Sequence, residues 1–287
     1  MIGGKALKVV AGAVLLAGVT AVAAKADLLG APVPRQMGFL PSNTTIQDGI
    51  EWFHNDILVP VIVFISLFVL ALLAWCIYRF NEKANPVPSR TTHNGPLEIA
   101  WTIAPALILV VVAVPSFRLL ADQLIIPAPD LTVKVTASQW HWNYTYPKDV
   151  GGFSFNSLIK EDKDLKEGDI RLLSVDNALY MPVGKVVEFD VVSQDVIHSF
   201  SVPSFGIKID AIPGRLNKTW AKADQVGVFY GQCSNICGID HAYMPIEVHV
   251  LSEADYAKWL DGAKKQFASA DAPGNRVDLA QAERVER

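Results

Sequence analysis

Two long apolar stretches constrain the fold of this 287-residue chain more than any other feature. Residues 57–78 read ILVPVIVFISLFVLALLAWCIY without a single charge, and residues 99–117 read IAWTIAPALILVVVAVPSF. As a helix, each is long enough to cross a bilayer core of about 30 Å. Both contain prolines, which membrane helices tolerate better than soluble ones. The sequence therefore predicts a membrane α-helical hairpin of two transmembrane helices over residues 57–120.

The charges that flank the hairpin predict its orientation. The connector 79–98 carries three basic residues, whereas residues 27–56 contain one, Arg35, among four acidic ones. Because short basic loops stay in the cytoplasm, the connector is expected to be cytoplasmic. Residues 27–56 are then an extracytoplasmic N-terminal segment, and everything after residue 120 also lies outside.

A shorter apolar stretch begins the chain. Residues 9–24 follow Lys5 and Lys8, are rich in Ala and Gly, and lead into an Ala-Lys-Ala sequence. These features are typical of a secretory signal peptide, which we predict over residues 1–26. A third membrane helix is the alternative, but the run is shorter than the roughly 20 residues that a span needs.

The pattern changes after the hairpin, and residues 121–252 predict an all-β sandwich or small barrel. Short runs rich in β-branched and aromatic residues alternate with Gly, Pro, Asn and Asp. The predicted strands lie within residues 131–146, 169–175, 184–193, 198–203, 206–213, 217–223, 227–233 and 245–251.

The end of the chain and its net charge complete the outline. Ser252 precedes two acidic residues at the start of an amphipathic pattern, so residues 253–287 predict a C-terminal helix and a polar tail. The formal net charge of −4 argues against a nucleic-acid partner and suits a cationic protein partner.

One loop concentrates metal-binding side chains. Residues 231–245 read GQCSNICGIDHAYMP and contain Cys233, Cys237, His241 and Met244, in a chain with only three cysteines and four methionines. Thiolate, imidazole and thioether together form a ligand set for copper. A disulfide is the alternative in an oxidising compartment, although closing so short a loop would constrain the unfolded chain little.

The number of thiolates favours two copper ions over one. A mononuclear blue-copper site needs one cysteine, whereas two thiolates can bridge a pair of ions and leave an imidazole for each. Zinc is a weaker alternative, because the methionine would then have no role. The second imidazole must come from elsewhere in the sandwich: His141, His198 and His249 are candidates, and His198 is favoured because it lies where a strand meets a turn.

Several motifs resemble subunit II of bacterial aa3-like cytochrome c oxidases, which are haem–copper oxidases. They run in the same order over about residues 50–260 and read EIAWTIAPALIL, ASQWHWNYTYP, VDNALYMPVGK, SQDVIHSFSVPSFGIKIDAIPGRLN and YGQCSNICGIDHAYMPIEVHV. The resemblance implies a cupredoxin-like β-barrel with a binuclear copper-A centre on the periplasmic side of the bacterial inner membrane, in a multi-pass protein. It implies electron transfer from cytochrome c to haem in subunit I, for oxygen reduction and proton pumping. Implied partners are oxidase subunits I and III, cytochrome c and membrane lipid.

The resemblance also implies the copper ligands. By matching position, Cys233 and Cys237 bridge the two ions, His198 and Met244 serve one ion, and His241 serves the other together with the backbone carbonyl of Asn235. Such oxidases usually have a glutamate at the Asn235 position, whose side chain reaches a magnesium ion near subunit I. An amide is a poorer magnesium ligand than a carboxylate, so Asn235 places that magnesium site in doubt.

Four more positions match functional residues of such oxidases. Trp140 matches the residue that accepts electrons from cytochrome c, and Asp195 and Asp210 match acidic docking positions. Glu98 matches a residue at a proton-uptake entrance. Each has a plainer alternative: packing for Trp140, a solvated surface for the two aspartates, and a favourable charge at a helix N-terminus for Glu98.

Three other classes of protein share parts of this pattern. Quinol oxidase subunits II lack the cysteines, and nitrous oxide reductases carry a large second domain. A membrane-anchored copper-delivery protein would not need Trp140 or docking acids, and would have to release its copper to an acceptor.

Overall fold

The computed structural model describes residues 30–267. The predicted signal peptide, residues 1–26, and the part of the polar tail after residue 267 lie outside the described residues. Four α-helices and ten strands make up the described chain. The helices are Thr45–Trp52 (α1), Val59–Arg79 (α2), Gly95–Leu124 (α3) and Glu253–Phe267 (α4). The strands are Leu131–Ser138 (β1), His141–Thr145 (β2), Ser154–Ser157 (β3), Leu179–Pro182 (β4), Val186–Ser193 (β5), His198–Val202 (β6), Ile207–Ala211 (β7), Asn217–Lys222 (β8), Gly227–Cys233 (β9) and Pro245–Leu251 (β10).

Helices α2 and α3 confirm the two predicted apolar helices. Both are long and apolar enough to cross a membrane, and neither has a buried residue. The first helical stretch begins earlier than the apolar run, because α1 continues into α2 through a π-helical turn over Phe53–Leu58. Pro60 has no N–H to donate to the carbonyl four residues earlier, and the wider turn instead lets Val59 N–H bond the carbonyl of His54.

The all-β domain is a sandwich of two five-stranded sheets, which confirms the predicted fold class. One sheet has the strand order β3-β2-β1-β5-β8 and the other β4-β10-β9-β6-β7. Side chains alternate between the core and the outer faces: Val133, Val135 and Ala137 of β1 are fully buried, whereas Lys134 is exposed. Aromatic residues fill the space between the sheets, with the Trp142 ring 5.3 Å from the Phe200 ring.

One predicted strand is wrong, and two observed strands were not predicted. Residues 169–175 are not a strand: the chain turns at Leu172 (φ 69°), and Val175 makes only an isolated bridge to Ile159. Val175 is nevertheless buried, and its N–H donates to a carboxylate oxygen of Glu247 on β10 (2.9 Å), so the segment has a strand-like composition without being a strand. Strands β3 and β4 were missed, because each has four residues and too few alternations to give a signal.

The segment just before α1 joins the sandwich at the end of β6. Asn43 donates its N–H to the carbonyl of Ser204 (2.9 Å) and exchanges hydrogen bonds with the backbone of Gln225. Thr44 caps α1 by accepting a hydrogen bond from Gln47 N–H, and its hydroxyl donates to the carbonyl of Phe205 (2.9 Å). Since His198 begins β6, it lies at the other end of the strand from this attachment.

Helix α4 closes one side of the sandwich. Ser252 accepts a hydrogen bond from Asp255 N–H, as the predicted N-cap requires. The Trp259 ring lies 5.3 Å from the Tyr146 ring and 4.5 Å from the Tyr180 ring. The helix therefore packs its apolar face on aromatic residues of the domain.

Strands β6 and β9 approach each other closely at Gly231. A Cβ atom at this position would collide with the backbone carbonyl of Ser201 and lie 3.2 Å from the Cα of Val202. Only glycine fits here without moving one of the two strands.

Candidate metal centre

Strand pairing brings the predicted metal-binding side chains to one end of the sandwich. Cys233 ends β9, and the loop to β10 carries Cys237, His241 and Met244. Phe200 of β6 pairs with Cys233, which places His198, two residues earlier, beside the first cysteine. The pairing supplies from a distant part of the chain the imidazole that the loop itself lacks.

The donor atoms surround the two sulfurs. The Sγ atoms of Cys233 and Cys237 are 3.9 Å apart, far beyond the length of about 2.05 Å of a disulfide, and both thiols are free. His198 Nδ1 lies 4.0 Å from the first sulfur, and His241 Nδ1 lies 3.4 Å from the second. The Met244 sulfur is 3.6 Å from Cys237 Sγ, and the Asn235 carbonyl oxygen is 3.3 Å from Cys233 Sγ.

This donor set fits a pair of copper ions. The two cysteine sulfurs lie in the middle, with an imidazole nitrogen beside each, and a thioether and a carbonyl could serve as weak ligands. His198, Cys233 and Cys237 form a group whose ligand atoms lie within 4.8 Å of one another, and all three are buried. Burial keeps water away from such a centre, and soft sulfur donors favour copper over hard cations.

Electrostatic interactions in the site favour one thiolate over two. Burial opposes ionisation of Cys233, but hydrogen bonds with His198 and with the backbone of Ser199 and Asn235 lower its pKa to about 7. Burial and the negative charge of Cys233 raise the pKa of Cys237 to about 12. Without a metal the pair therefore holds at most one negative charge near neutral pH, and a bound cation is needed to keep both sulfurs as thiolates.

Asp195 holds the ring of His198. Its Oδ1 lies 2.8 Å from His198 Nε2, which leaves Nδ1 directed toward the sulfur of Cys233. Burial alone would lower the pKa of His198, but the hydrogen bonds with Cys233 and Asp195 raise it. Burial would raise the pKa of Asp195, and the hydrogen bonds from His198 and the backbone N–H groups of Gln139 and Val196 lower it. A carboxylate behind a ligating histidine fixes the orientation of the ring.

Two supporting contacts were not predicted from the sequence. The indole of Trp142, which is fully buried, donates a hydrogen bond to the carbonyl of Met244 (3.0 Å). Ser234 N–H bonds the carbonyl of Ser199 (3.1 Å) and ties the loop to β6. The repeated aromatic residues around Trp142 signalled packing, but no local pattern could show which carbonyl the indole would reach.

The remaining predicted residues occupy different surroundings. Trp140 is half-buried beside the loop, and its Nε1 donates to the carbonyl of Cys237 (3.2 Å). Asp210 is half-buried on β7, opposite Ser199. Glu98 lies in the first turn of α3, far from the loop in the chain, and accepts a hydrogen bond from Asn94 N–H (3.0 Å).

The two other candidate histidines are not in the metal-binding group. His249 pairs with Glu247 (2.7 Å), and its ring packs on that of Tyr180. His141 is buried at the start of β2. Among the three candidates, the residues that the structure describes bring only His198 within ligand distance of the cysteines.

Comparison with known proteins finds relatives that match most of the chain. The family model for the periplasmic domain of cytochrome c oxidase subunit II matches residues 131–251, and the model for its transmembrane domain matches residues 32–119. A probable cytochrome c oxidase subunit 2 of Rickettsia bellii is 45% identical over 240 residues, which is 84% of this chain and 88% of the relative. The chain belongs to the cytochrome c oxidase subunit II family.

One further relative and one solved structure are also similar to the chain. The cytochrome c oxidase subunit 2 of Cereibacter sphaeroides is 44% identical over 272 residues, 88% of this chain and 89% of the relative. The crystal structure of the periplasmic domain of subunit II of cytochrome oxidase from Bradyrhizobium japonicum has 52% sequence identity and a TM-score of 0.47, and covers 50% of this chain and 99% of that one. As a cytochrome c oxidase subunit II, the chain is part of an oxidoreductase complex of the inner membrane, with its all-β domain in the periplasm.

Asp195→Asn tests whether this carboxylate positions His198 or only carries surface charge. We expect the full-length subunit to lose about 10- to 100-fold in copper affinity, because the variant weakens the hold on the ligand ring. Competition with a chelator measures this change. Asp210→Asn removes the same charge without contacting a ligand and should leave copper affinity unchanged. Equal copper affinities in the two variants would contradict the positioning role.

Proposed function

We propose that this subunit accepts electrons from cytochrome c at a binuclear copper-A centre and passes them to haem in subunit I, where oxygen is reduced and protons are pumped. The proposed ligands are His198, Cys233, Cys237, His241, Met244 and the backbone carbonyl of Asn235. The observation that carries the proposal is the unbonded pair of sulfurs, 3.9 Å apart, with one imidazole nitrogen beside each.

The residues around the sulfurs suit electron transfer. A copper pair bound there would supply a carrier for one electron at a time. Asp195 fixes the His198 ring, and Trp142 fixes the backbone of Met244. Because these ligands are held by hydrogen bonds and buried packing, they need to move little when the charge of the centre changes. A rigid site lowers the reorganisation that each transfer requires.

Trp140 is the proposed residue for electron input from cytochrome c. The indole N–H bonds the carbonyl of Cys237, so the ring connects the domain surface directly to a proposed ligand residue. The same ring is half-buried and therefore open to a docked partner on one side.

Asp195 and Asp210 are the proposed docking acids. The side chain of Asp195 is 31% exposed although it bonds His198, so its charge can still act on an approaching partner. Negative charge beside the site would attract a basic cytochrome c and raise its association rate. The other proposed partners are subunits I and III and the lipid around α2 and α3, whose apolar side chains are exposed along both helices.

Glu98 and Asn235 concern two further parts of the proposal, a proton-uptake entrance and a magnesium site. Glu98 and Asn94 cap α3 reciprocally, since Asn94 Oδ1 also accepts from Leu97 N–H (3.2 Å); this arrangement supports a structural role. A proton-uptake role for Glu98 would require its carboxylate to leave the cap. Asn235 offers no carboxylate to magnesium, so a magnesium ion would depend on ligands from subunit I, and metal analysis of the intact complex tests its presence.

We also propose the division of the chain expected from the sequence. It comprises a signal peptide (1–26), an extracytoplasmic segment (27–56), the hairpin (57–120), the copper-A domain (121–252) and the C-terminal helix with its tail (253–287). Mass determination of the mature N-terminus tests the first boundary.

Electron paramagnetic resonance of the copper-loaded full chain tests the proposed centre. We expect two copper ions per chain and a spectrum in which one unpaired electron is shared by two copper nuclei. The reason is that the two sulfurs lie 3.9 Å apart with one imidazole nitrogen beside each, so both sulfurs could bridge the same pair of ions. A hyperfine pattern from a single copper nucleus, or a covalent bond between the two sulfurs in metallated protein, would contradict the proposal.

A further inference from the structure

The turn between β1 and β2 contacts the metal-binding loop through two neighbouring side chains. Gln139 Nε2 donates a hydrogen bond to the carbonyl of Cys237 at 2.8 Å, and Trp140 Nε1 donates to the same oxygen at 3.2 Å. A carbonyl oxygen has two lone pairs, and these two donors use both. The shorter bond comes from the glutamine, which therefore fixes the oxygen that the indole also binds.

The backbone of Gln139 reaches the opposite side of the site. Its N–H donates to Asp195 Oδ2 at 2.6 Å, and the other oxygen of Asp195 bonds His198 Nε2 at 2.8 Å. Gln139 is thus connected by hydrogen bonds to two proposed ligand residues. Its side chain bonds the backbone carbonyl of Cys237, and its backbone N–H reaches His198 through Asp195.

The indole of Trp140 is closely packed between Gln139 and the loop that follows Cys237. Gly238, which follows Cys237, has φ +130°, and a Cβ there would lie 2.7 Å from Trp140 Cζ2 and 3.0 Å from Gln139 Nε2. The loop backbone therefore touches the ring and the amide together. If the Gln139 amide no longer bonded the Cys237 carbonyl, the Trp140 ring would lose its neighbour on one side. The loop would also lose the shorter of the two hydrogen bonds that hold it.

We propose that Gln139 is a positioning residue for electron input, because its amide holds the Cys237 carbonyl where the Trp140 indole can bond it. This inference rests on the proposed role of Trp140. The side-chain bond positions the loop against the indole, whereas the backbone bond to Asp195 supports His198. Removing only the side-chain donor should therefore impair electron input and leave the metal ligands in place.

Gln139→Met tests this in the assembled oxidase, because methionine has a similar length and no N–H donor. We expect electron input from cytochrome c to slow by about tenfold, since even a displacement of about 1 Å can be costly for a reacting pair. Copper content and the two-copper resonance spectrum should stay unchanged, because the backbone bond to Asp195 remains. Gln194→Met is the matched control: this neighbouring glutamine is exposed, and its side chain contacts Ser138. Its electron input should equal that of the unchanged protein.

The double variant with Trp140→Phe shows whether Gln139 acts through Trp140. If it does, Gln139→Met should cause no further slowing in the Trp140→Phe background. Equal slowing in both backgrounds, unchanged electron input in the single variant, or loss of copper from it would each overturn the positioning role. Gln139→Glu also lacks the donor and should reproduce the slowing if the methionine variant does not fold.

Hydrogen exchange of the Trp140 indole N–H gives a readout that does not depend on turnover. The sample is the copper-loaded full chain in its fully reduced state, labelled with nitrogen-15 at tryptophan. Nuclear magnetic resonance follows the exchange, and the signal missing from Trp140→Phe identifies the Trp140 indole. In Gln139→Met this N–H should exchange about five- to tenfold faster, as expected when a net hydrogen bond is weakened. An unchanged exchange rate would overturn the proposed hold on the indole. If Trp140→Phe does not slow electron input but the exchange rate still rises, the proposed input role fails while the Gln139 contact stands.

Discussion

Replacing Cys237 by serine should abolish the shared two-copper spectrum of the full chain and leave at most one bound copper ion. The sulfur of Cys237 lies beside three other donors of the site, at 3.4 Å from His241 Nδ1, 3.6 Å from the Met244 sulfur and 3.9 Å from Cys233 Sγ. A serine hydroxyl is a hard oxygen donor that copper binds far less well than thiolate. Copper analysis and electron paramagnetic resonance measure the result.

Cys76→Ser is the matched control for that experiment. Cys76 is the third cysteine of the chain and is exposed on α2, in the membrane segment. It should keep two copper ions per chain and an unchanged spectrum. Two copper ions sharing one electron in the Cys237→Ser variant would show that the sulfurs do not bridge the pair.

Trp140→Phe should slow electron input from cytochrome c by about a hundredfold, the scale seen when a reacting pair is misplaced by about 1 Å. Phenylalanine keeps an aromatic ring but loses the N–H that bonds the carbonyl of Cys237. The copper spectrum should be unchanged, because no proposed ligand is altered. Rapid-mixing kinetics with reduced cytochrome c measures the rate.

Trp52→Phe controls for the loss of an indole elsewhere in the chain. Trp52 ends α1 and is 53% exposed, next to the membrane segment. Electron input should be the same as in the unchanged protein. A Trp140→Phe variant that accepts electrons at the full rate would move the input route to another residue.

The sequence predicted those parts of the site that lie close together in the chain. Cys233, Cys237, His241 and Met244 stand within twelve positions, and their chemistry alone indicated copper. His198 lies 35 residues before Cys233, so its place depends on the pairing of β6 with β9. That pairing is a property of the folded sheet, and residue types alone favoured His198 among three candidate histidines without showing that it meets Cys233.

The supporting contacts could not be predicted, because they depend on which loops meet at one end of the sandwich. Asp195 was expected at a docking surface by resemblance, and only the folded loop shows that it also holds His198. Gln139 has no unusual chemistry and stands out only through its distance to the Cys237 carbonyl. The strand predicted at 169–175 is wrong because the chain turns at Leu172. Composition alone does not distinguish a turn that contains apolar residues from a strand.

The close passage of β9 past β6 at Gly231 has a consequence for the geometry of the centre. This residue lies two positions before Cys233, and Ser201 lies three positions after His198. A methyl group at position 231 would force the two strands apart. Because His198 and Cys233 lie on these strands, the distance between the imidazole and the sulfur would increase. The distance between His198 Nδ1 and Cys233 Sγ therefore depends on Gly231, a residue that is not itself a proposed ligand, because its lack of a Cβ lets the two strands lie close together.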